Sequence, residues 1–305
     1  MSKQKLVSVI IPTYERADTL SRAINSVLNQ TYKDIEIVVV DDNDPSSEYR
    51  KQTEELMNNY SEHKNIIYLK HEKNKNGSAA RNTGFRNSNG EFIMFLDDDD
   101  EFFPKKVSSQ VDRMNSLDKS WGACYSSYIR KKNGKTVMYG AEKREGDLLK
   151  EELMRNLFIH AGSNLMIRRE VVTELNGFDE SFLRNQDVEF VSRILMKYKL
   201  AYVDIRGLIV HVHERIPGKR SFEEITLDYM NKFSSQISEL PEHDRRTINK
   251  MINLQLFRNF IFTKGERKKA FKYIVRRELT LGLVSRYMLH LLKRKLSKKA
   301  YGFKI

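Results

Sequence analysis

The sequence predicts an α/β protein with a mostly parallel sheet, helices on both faces of that sheet and a helical C-terminal extension. Strand-like and helix-like segments alternate through roughly the first 100 residues with short loops between them, as in a doubly wound sheet. The strand-like segments are continuous apolar runs, which is typical of strands buried on both faces. The first of them runs into Pro-Thr-Tyr and not into a glycine-rich turn, which argues against a dinucleotide-binding dehydrogenase.

The first half of the sheet is predicted from apolar runs and helical spacing. The predicted strands are 6–11, 35–42, 66–69 and 91–96, and the predicted helices between them are 17–30, 46–60 and 77–87. In the first helix, Leu20, Ala23, Ile24 and Val27 fall on one face, as expected for a helix packed against a sheet.

The second half of the chain is predicted to be mixed and then helical. A helix after Pro104 is followed by a hairpin around Asn133-Gly134, because Asn-Gly is favoured in two-residue hairpin turns. Further segments are a helix at 187–198, strands at 200–204 and 207–213, helices from 221 to 264 interrupted at Pro241, and a helical pattern from 264 to 299 interrupted at Gly282.

Composition narrows the class of protein. The chain has 305 residues, of which 40% are hydrophobic and 31% charged, as in a folded globular protein. No apolar run approaches the ~18 residues of a membrane span, and Val7 to Ile11 is too short for a secretory signal. Cys124 is the only cysteine, so we expect no disulfide framework and a reducing, cytoplasmic compartment.

The positive charge is concentrated at the C-terminal end. Residues 264–305 contain 14 Lys and Arg against 2 Asp and Glu, whereas the rest of the chain has 40 against 39. Apolar and cationic positions alternate there at helical spacing, which predicts a helix lying on an anionic membrane surface. A helix packed on the body with a solvated basic face is the alternative. The near-neutral body argues against a nucleic-acid partner.

Polar groups follow three predicted strands. Pro12-Thr13-Tyr14, Asp41-Asp42 and the run from Asp97 to Asp100 all lie at strand ends. Because the carboxyl ends of parallel strands meet at one edge of a sheet, we expect these groups to lie together. Clustered carboxylates repel one another unless a cation offsets them, and hard oxygen ligands suit Mg²⁺ or Mn²⁺. An acidic turn that caps the next helix is the alternative.

Several motifs in the same order resemble glycosyltransferases of the GT-A fold, family 2. They are VSVIIPTYERADTLSRAINSVLNQTYKDIEIVVVDDNDPS, NGSAARNTGFRNSNGEFIMFLDDDDEFFP, NLMIRREVVTELNGFDESF and NQDVEFVSRI. The resemblance implies a Rossmann-like nucleotide-diphospho-sugar transferase domain at 1–215, with a nucleotide-binding half at 1–100 and an acceptor half at 101–215. Residues 216–305 are then a helical extension that ends in the basic tail 264–305.

The resemblance implies a nucleotide-sugar site at the strand ends. Tyr14 is expected to stack on the base, and either Asp41 or Asp42 to accept the uracil N3–H. Asp97 and Asp98 are assigned to the ribose side. The residues implied for donor binding are Pro12, Thr13, Tyr14, Arg16, Asp41, Asp42, Arg81, Asn82, Asp97 and Asp98.

The resemblance also implies a metal, Mn²⁺ or Mg²⁺, bound by Asp99. Asp100 is assigned outside the metal's ligands. His213 is favoured as a further ligand, and His211, on the same face of its strand, is the alternative.

Asp187 is implied as the catalytic base that takes the proton of the acceptor hydroxyl. It follows Gln186, where the family more often has a glutamate. A role for Asp187 in capping the helix at 187–198 is the alternative. The loop 160–165, HAGSNL, is expected to meet the acceptor.

The sequence therefore predicts a metal-dependent inverting glycosyltransferase of the hexosyltransferase type, with a UDP-sugar as the favoured donor. The expected acceptor is a hydroxyl of a glycan or lipid-linked glycan in surface polysaccharide synthesis, such as that of a capsule, at the inner face of the cell membrane. The alternative is a catalytically inactive nucleotide-sugar-binding or scaffold protein. The sugar, the acceptor, the linkage and the oligomeric state are left open.

Overall fold

The computed structural model describes residues 5–182, 184–213, 220–276 and 279–305. The chain divides into two compact units. The first comprises the chain up to Asp147 together with Ile159–Val212, and the second comprises Leu148–Phe158 together with the chain from His213 onward. The domain boundary predicted at 215–216 lies outside the described residues.

The described residues form the following elements. The strands are β1 (Val7–Thr13), β2 (Ile35–Asp41), β3 (Ile66–Lys70), β4 (Phe92–Phe95), β5 (Glu101–Phe102), β6 (Trp121–Lys132), β7 (Lys135–Gly140), β8 (Met166–Arg168), β9 (Lys199–His211) and β10 (Lys299–Ala300). The helices are α1 (Ala17–Leu28), α2 (Glu48–Asn58), α3 (Gly77–Arg86), α4 (Lys106–Asn115), α5 (Leu149–Leu153), α6 (Ala161–Asn164), α7 (Arg169–Glu174), α8 (Gln186–Leu195), α9 (Phe222–Lys232), α10 (Ser234–Glu239), α11 (Glu242–Phe262), α12 (Arg267–Arg276) and α13 (Leu281–Ser297).

The first unit is built on a mixed sheet with the strand order β7-β6-β8-β4-β1-β2-β3. Strand β1 pairs in parallel with β2 and β4, and β2 pairs in parallel with β3, which confirms the predicted parallel first half. Strand β8 enters antiparallel between β4 and β6, so the second half contains more antiparallel pairing than predicted. The parallel arrangement places the ends of β1, β2 and β4 at one edge of the sheet.

The core follows the predicted apolar pattern. Strand β1 is buried almost throughout, and α1 buries Leu20, Ala23, Ile24 and Val27 on the face that the spacing indicated. This packing fixes the first turn of α1 beside the end of β1, where the polar groups begin.

Two element boundaries differ from the prediction. The segments predicted at 200–204 and 207–213 fall in a single strand, β9, which ends at His211. Its pairing with β6 shifts register near Ser126 and Ser127, so an irregular pairing interrupts the apolar pattern without ending the strand. Gly282 lies in the first turn of α13 and does not break it. Thr280 caps that helix, and its hydroxyl accepts a hydrogen bond of 3.2 Å from Leu283 N–H.

The second unit is largely helical, and a break at Pro241 separates α10 from α11 as predicted. The buried side chain of Asn156 holds the C-terminal segment, because its amide donates to Phe303 O at 2.8 Å and its carbonyl accepts from Phe303 N–H at 2.9 Å. Among the helices that the structure describes, none combines the length and the hydrophobicity needed to cross a bilayer.

Candidate active site

The end of β1 contributes a buried hydroxyl and an exposed ring. Thr13 is buried, and its hydroxyl donates to Asp98 Oδ2 at 2.8 Å, which ties β1 to the turn after β4. Tyr14 is 42% exposed, so a face of its ring is accessible to a base. Pro12 pairs with Val40 within the sheet, directly before these two residues. The stacking role of Tyr14 stays a prediction.

Arg16 supplies positive charge to the acidic run. Glu15 adopts a left-handed conformation with φ of 57°, and this turn directs the chain into α1 with Arg16 at its N-terminus. The Arg16 guanidinium lies 3.3 Å from Asp98 Oδ1 and also pairs with Asp99 Oδ2. A protein cation therefore offsets part of the repulsion between these carboxylates.

Asp41 at the end of β2 is fully buried and has several donors. It accepts from Tyr68 OH at 2.6 Å and from Asn43 N–H at 2.9 Å, and it lies 3.2 Å from Arg50 Nε. These partners fix the strand end. A contact between Asp41 and a base would have to replace one of them.

Asp42 anchors the loop before α3. Its carboxylate lies 2.6 Å from His71 Nδ1 and accepts the backbone N–H groups of Lys75 at 2.8 Å and Asn76 at 3.0 Å. The next helix, α2, is capped by Ser47, so neither aspartate acts as its cap. Which of the two contacts the base stays a prediction.

The acidic run after β4 folds so that three of its four carboxylates cluster and the fourth, that of Asp98, points away from them. One oxygen from each of Asp97, Asp99 and Asp100 lies within 4.8 Å of the others. A turn in which Asp100 N–H donates to Asp97 O at 3.0 Å brings these two residues together. Asp98 is instead buried against Thr13, and burial raises its pKa to about 7.

This geometry bears on two assignments. Asp98 is held by Thr13 and Arg16 and does not join the carboxylate cluster, and its expected ribose contact stays a prediction. Asp100, expected outside the metal's ligands, belongs to the carboxylate cluster. The sequence alone did not reveal which of the four aspartates join the cluster, because four identical residues in a row do not show which way each side chain points. The geometry of the turn decides this. The alternative, that the acidic run caps the next helix, does not hold, because the N-cap of α4 is Lys105 and no side chain makes a capping hydrogen bond there.

The cluster fits a hard divalent cation. Three carboxylate oxygens within reach of one another are the donors that Mg²⁺ and Mn²⁺ prefer. The cluster formed by the described residues includes no histidine. His213, just after β9, is exposed, and His211 directs its Nε2 to Glu101 Oε1 at 2.5 Å. The assignment of His213 to the metal stays a prediction.

His160 lies beside the cluster and was not singled out from the sequence. It has a left-handed backbone with φ of 55°, and its Nε2 lies 3.3 Å from Asp100 Oδ2. Although burial favours the neutral imidazole, the carboxylates of Asp100, Asp97 and Asp187 raise the pKa of His160. The only sequence signal was a histidine at the start of a short polar loop, HAGSN.

Asp187 faces the cluster across a glycine. A Cβ atom on Gly162 would lie 3.1 Å from Asp97 Oδ2 and 3.8 Å from Asp187 Oδ2, so both carboxylates approach the same point. Asp187 lies in the first turn of α8, and the N-cap residue Asn185 makes no side-chain capping bond. The structure thus brings the predicted base and the predicted donor site together.

Arg81 connects these groups. Its guanidinium donates to Asp97 Oδ1 at 2.6 Å and to Gln186 Oε1 at 3.3 Å. Although burial opposes ionisation, Arg81 and His160 hold the pKa of Asp97 below its usual value. Arg81 therefore positions the first carboxylate of the cluster and the start of α8.

Asn82 has a different role from the one expected. It is buried, its amide donates to Phe178 O at 2.9 Å, and its carbonyl accepts from Phe178 N–H at 2.8 Å. Asn82 thus holds the Gly177–Phe178 turn, and the expected nucleotide contact stays a prediction. Helix α3 is capped by Asn76.

A buried lysine supports the loop that carries His160. Lys106 is fully buried, and its ammonium donates to Asn164 Oδ1 at 2.7 Å. Asn164 in turn donates to Ile159 O at 2.7 Å, and Ser163 Oγ accepts from Asp97 N–H at 3.1 Å. Burial lowers the pKa of Lys106 to about 7. Sequence reasoning missed this network because an isolated lysine and asparagine carry no local signal.

Comparison with known proteins agrees with this architecture. The family described as Glycosyl transferase family 2 matches residues 8–175. The crystal structure of S. aureus TarS 1-349 in complex with UDP-GlcNAc has a similar fold, with a TM-score of 0.66 at 20% identity, covering 96% of this chain and 88% of that chain.

Two curated relatives extend the comparison. An uncharacterized glycosyltransferase of Rickettsia bellii is 34% identical over 229 residues, which cover 72% of this chain and 31% of that protein, so the match spans about a third of the relative's length. A GalNAc(5)-diNAcBac-PP-undecaprenol beta-1,3-glucosyltransferase of Campylobacter jejuni is 29% identical over 201 residues, 65% of this chain and 62% of that protein. Because the family match covers more than half of the chain, this protein belongs to glycosyl transferase family 2 and has the GT-A fold.

Proposed function

We propose that this chain is a metal-dependent, inverting glycosyltransferase that moves a sugar from a nucleotide diphosphate, with a UDP-sugar favoured, to an acceptor hydroxyl. The observation that carries the proposal is the approach of Asp187 to the carboxylate cluster across Gly162. Family membership supports sugar transfer, and the UDP-GlcNAc bound to the TarS structure supports a UDP-sugar.

Donor binding is assigned to the edge of the sheet. Tyr14 stacks on the base, and Arg16 lies beside the carboxylates where the diphosphate would approach. Asp97, Asp99 and Asp100 would hold Mn²⁺ or Mg²⁺, which when bound offsets the charge that develops on the leaving diphosphate.

The transfer step is a single displacement. The acceptor oxygen forms a bond to the anomeric carbon while the bond from that carbon to the diphosphate oxygen breaks. The acceptor proton passes to the Asp187 carboxylate, and the electron pair of the broken bond leaves with the diphosphate. Attack opposite the leaving group inverts the anomeric centre without a covalent enzyme intermediate. The carboxylate neighbours of His160 raise its pKa although burial opposes this, and its Nε2, 3.3 Å from Asp100 Oδ2, orients that carboxylate.

A lipid-linked acceptor is proposed from two observations. The Campylobacter relative is named for an undecaprenol-linked acceptor. Helices α12 and α13 expose large apolar side chains among their lysines and arginines, namely Phe271, Val275, Leu281, Leu289, Leu292 and Leu296. This combination fits peripheral docking on an anionic leaflet, with surface polysaccharide synthesis at the inner face of the cell membrane as the setting.

A donor screen tests the proposal. UDP-, GDP- and dTDP-sugars are added to the full chain with Mn²⁺ or with EDTA, and thermal unfolding and release of the nucleotide are measured. We expect one class of donor to raise the midpoint only with metal, because a ligand bound to the native state stabilises it. We also expect slow metal-dependent release of the nucleoside diphosphate. Binding without any release, with or without acceptor, would favour an inactive nucleotide-sugar-binding protein instead.

A further inference from the structure

The second unit contains a cavity of about 180 Å³. It is lined by the segment after α5, the start of α9, one face each of α11 and α13, and Phe303 near the C-terminal end. One water requires ~10–15 Å³ of such volume, so the cavity accommodates a group of several atoms. Its lining residues all belong to the second unit, which places the cavity outside the candidate active site.

Basic side chains dominate the polar lining. Arg155, Arg258, Arg294 and His290 line the cavity, and none of its lining residues, all within the described part of the chain, is acidic. Burial, together with the neighbouring Arg294, lowers the pKa of His290. A cavity with several cations and no carboxylate carries a positive potential, which favours an anion.

One polar atom of the lining has no protein partner. His290 Nε2 is buried without a hydrogen bond within the described structure. A buried polar group without a partner is costly, by about 1–3 kcal/mol. The other ring nitrogen hydrogen-bonds to the Tyr301 backbone, so Nε2 of the neutral ring is an acceptor. A ligand that donates to it, such as the P–OH group of a protonated phosphate, would remove this cost.

Four aromatic side chains contribute to the remaining lining, namely Phe158, Phe222, Tyr287 and Phe303. The Arg294 guanidinium lies 4.0 Å from the centroid of the Phe158 ring, and Tyr287 packs edge-on against Phe303 at 5.2 Å. Stacking engages the face of a guanidinium, whereas its N–H donors lie in its plane, where they match the oxygens of a phosphate. The lining therefore combines phosphate-type donors with apolar surface.

We propose that this cavity binds the phosphate or diphosphate group of a ligand whose remaining part packs against the aromatic walls. The proposal does not depend on sugar transfer, because the cavity shares no residue with the carboxylate cluster. The phosphate can belong to a small soluble molecule or to a lipid head group, and the same chemistry recognises both.

The test titrates inorganic pyrophosphate into the full chain by calorimetry in buffer containing EDTA, which removes divalent metal from the carboxylate cluster. We expect saturable binding with one site. Arg258→Gln and Arg294→Gln should each weaken it about tenfold or more, since each removes charge-assisted hydrogen bonds. Arg246→Gln is the matched control: Arg246 also lies on α11 but pairs with Glu242 at the surface, so affinity should not change.

An independent readout covers the case in which an arginine variant fails to fold. Imidazole ¹⁵N spectra of the wild-type chain, assigned with His290→Gln, should show a shift of the His290 signal that saturates with pyrophosphate. Farnesyl diphosphate then distinguishes the sources: binding tighter than that of pyrophosphate indicates a lipid head group, and equal or weaker binding indicates a soluble phosphate. Absence of saturable pyrophosphate binding in the wild type would overturn the proposal, as would equal weakening by Arg246→Gln.

Discussion

Arg81 Nη2 lies 2.6 Å from Asp97 Oδ1, and this ion pair joins helix α3 to the end of β4 at the candidate active site. The same guanidinium reaches Gln186 at the start of α8, the helix that carries Asp187. Three chain segments that are distant in sequence therefore meet at one arginine. The geometry of both the donor side and the base side depends on it.

Replacing Arg81 tests this connection. Arg81→Met should weaken metal-dependent UDP binding about tenfold or more, because Asp97 loses a charge-assisted bond. Arg86→Met is the matched control, since Arg86 lies on the same helix but pairs with Glu180 near the surface at 3.5 Å. Calorimetry with Mn²⁺ measures both affinities. Equal affinities in the two variants would remove Arg81 from the site.

Gly162 should not tolerate a side chain. In Gly162→Ala the new Cβ would press on Asp97 and approach Asp187, so turnover should fall about 10- to 100-fold, the effect of small misplacements at reacting groups. The free energy of unfolding should change by less than about 1 kcal/mol.

Gly282→Ala is the control for that substitution. Gly282 has open space around its Cβ position and lies in α13, so alanine should raise the free energy of unfolding by about 0.5–1 kcal/mol and leave turnover unchanged. Initial rates and urea unfolding of both variants give the comparison. If both glycine variants turned over at the same rate, the proposed crowding at Gly162 would be wrong.

Lys106 should give stability a distinct pH dependence. Burial lowers the pKa of its ammonium to about 7 in the folded chain, whereas the unfolded value is near 10.5. Between these values the unfolded chain binds more protons than the folded chain, so the free energy of unfolding rises with pH, by at most about 1.4 kcal/mol per unit. Lys106→Met should lose this contribution.

Urea unfolding at about pH 6.5 and about pH 9.5, near the two pKa values of Lys106, measures this change in the free energy of unfolding. The wild type should gain stability relative to Lys106→Met on going to the higher pH. Lys105→Met removes the exposed neighbouring lysine and should retain the wild-type slope. A Lys106→Met slope identical to that of the wild type would show that this ammonium titrates normally.

The exposed apolar face of α13 should contribute to membrane binding. Leu292 and Leu296 are 51% and 75% exposed, and burying a leucine stabilises by about 1.5–3 kcal/mol. The double variant Leu292→Gln/Leu296→Gln should therefore float less with phosphatidylglycerol vesicles than the wild type. Leu227→Gln, which alters an exposed leucine of α9, is the control and should float normally. Equal flotation of the wild type with neutral and anionic vesicles would contradict the docking proposal.

The parallel half of the fold was predictable because its signals are local. The apolar runs of β1, β2 and β4 and the helical spacing of α1 are each contained in a short stretch of sequence. That the polar groups after these strands lie at one edge of the sheet followed from the parallel topology alone. Strand β8 was not predictable, because three residues carry too little pattern to outweigh the helices around them.

The candidate site was predictable in its location but not in its details. Asp97 approaches Asp187 across Gly162 and clusters with Asp99. The turn after β4 directs Asp98 to Thr13 and brings the buried Asp100 into the cluster. Asn82 is used in packing, and His160 enters the site through a left-handed residue that no periodicity marks. These outcomes depend on long-range contacts, which a reading of local pattern does not contain.

The most direct measurement compares Mn²⁺-dependent UDP binding and sugar release from the donor in the wild type, Asp99→Asn and Asp187→Asn. The account predicts that Asp99→Asn loses both properties. Asp187→Asn should keep UDP affinity within about threefold and lose turnover by a factor of about 100 or more, as expected for removal of a general base. Wild-type turnover in Asp187→Asn, or metal-dependent UDP binding that survives in Asp99→Asn, would contradict it.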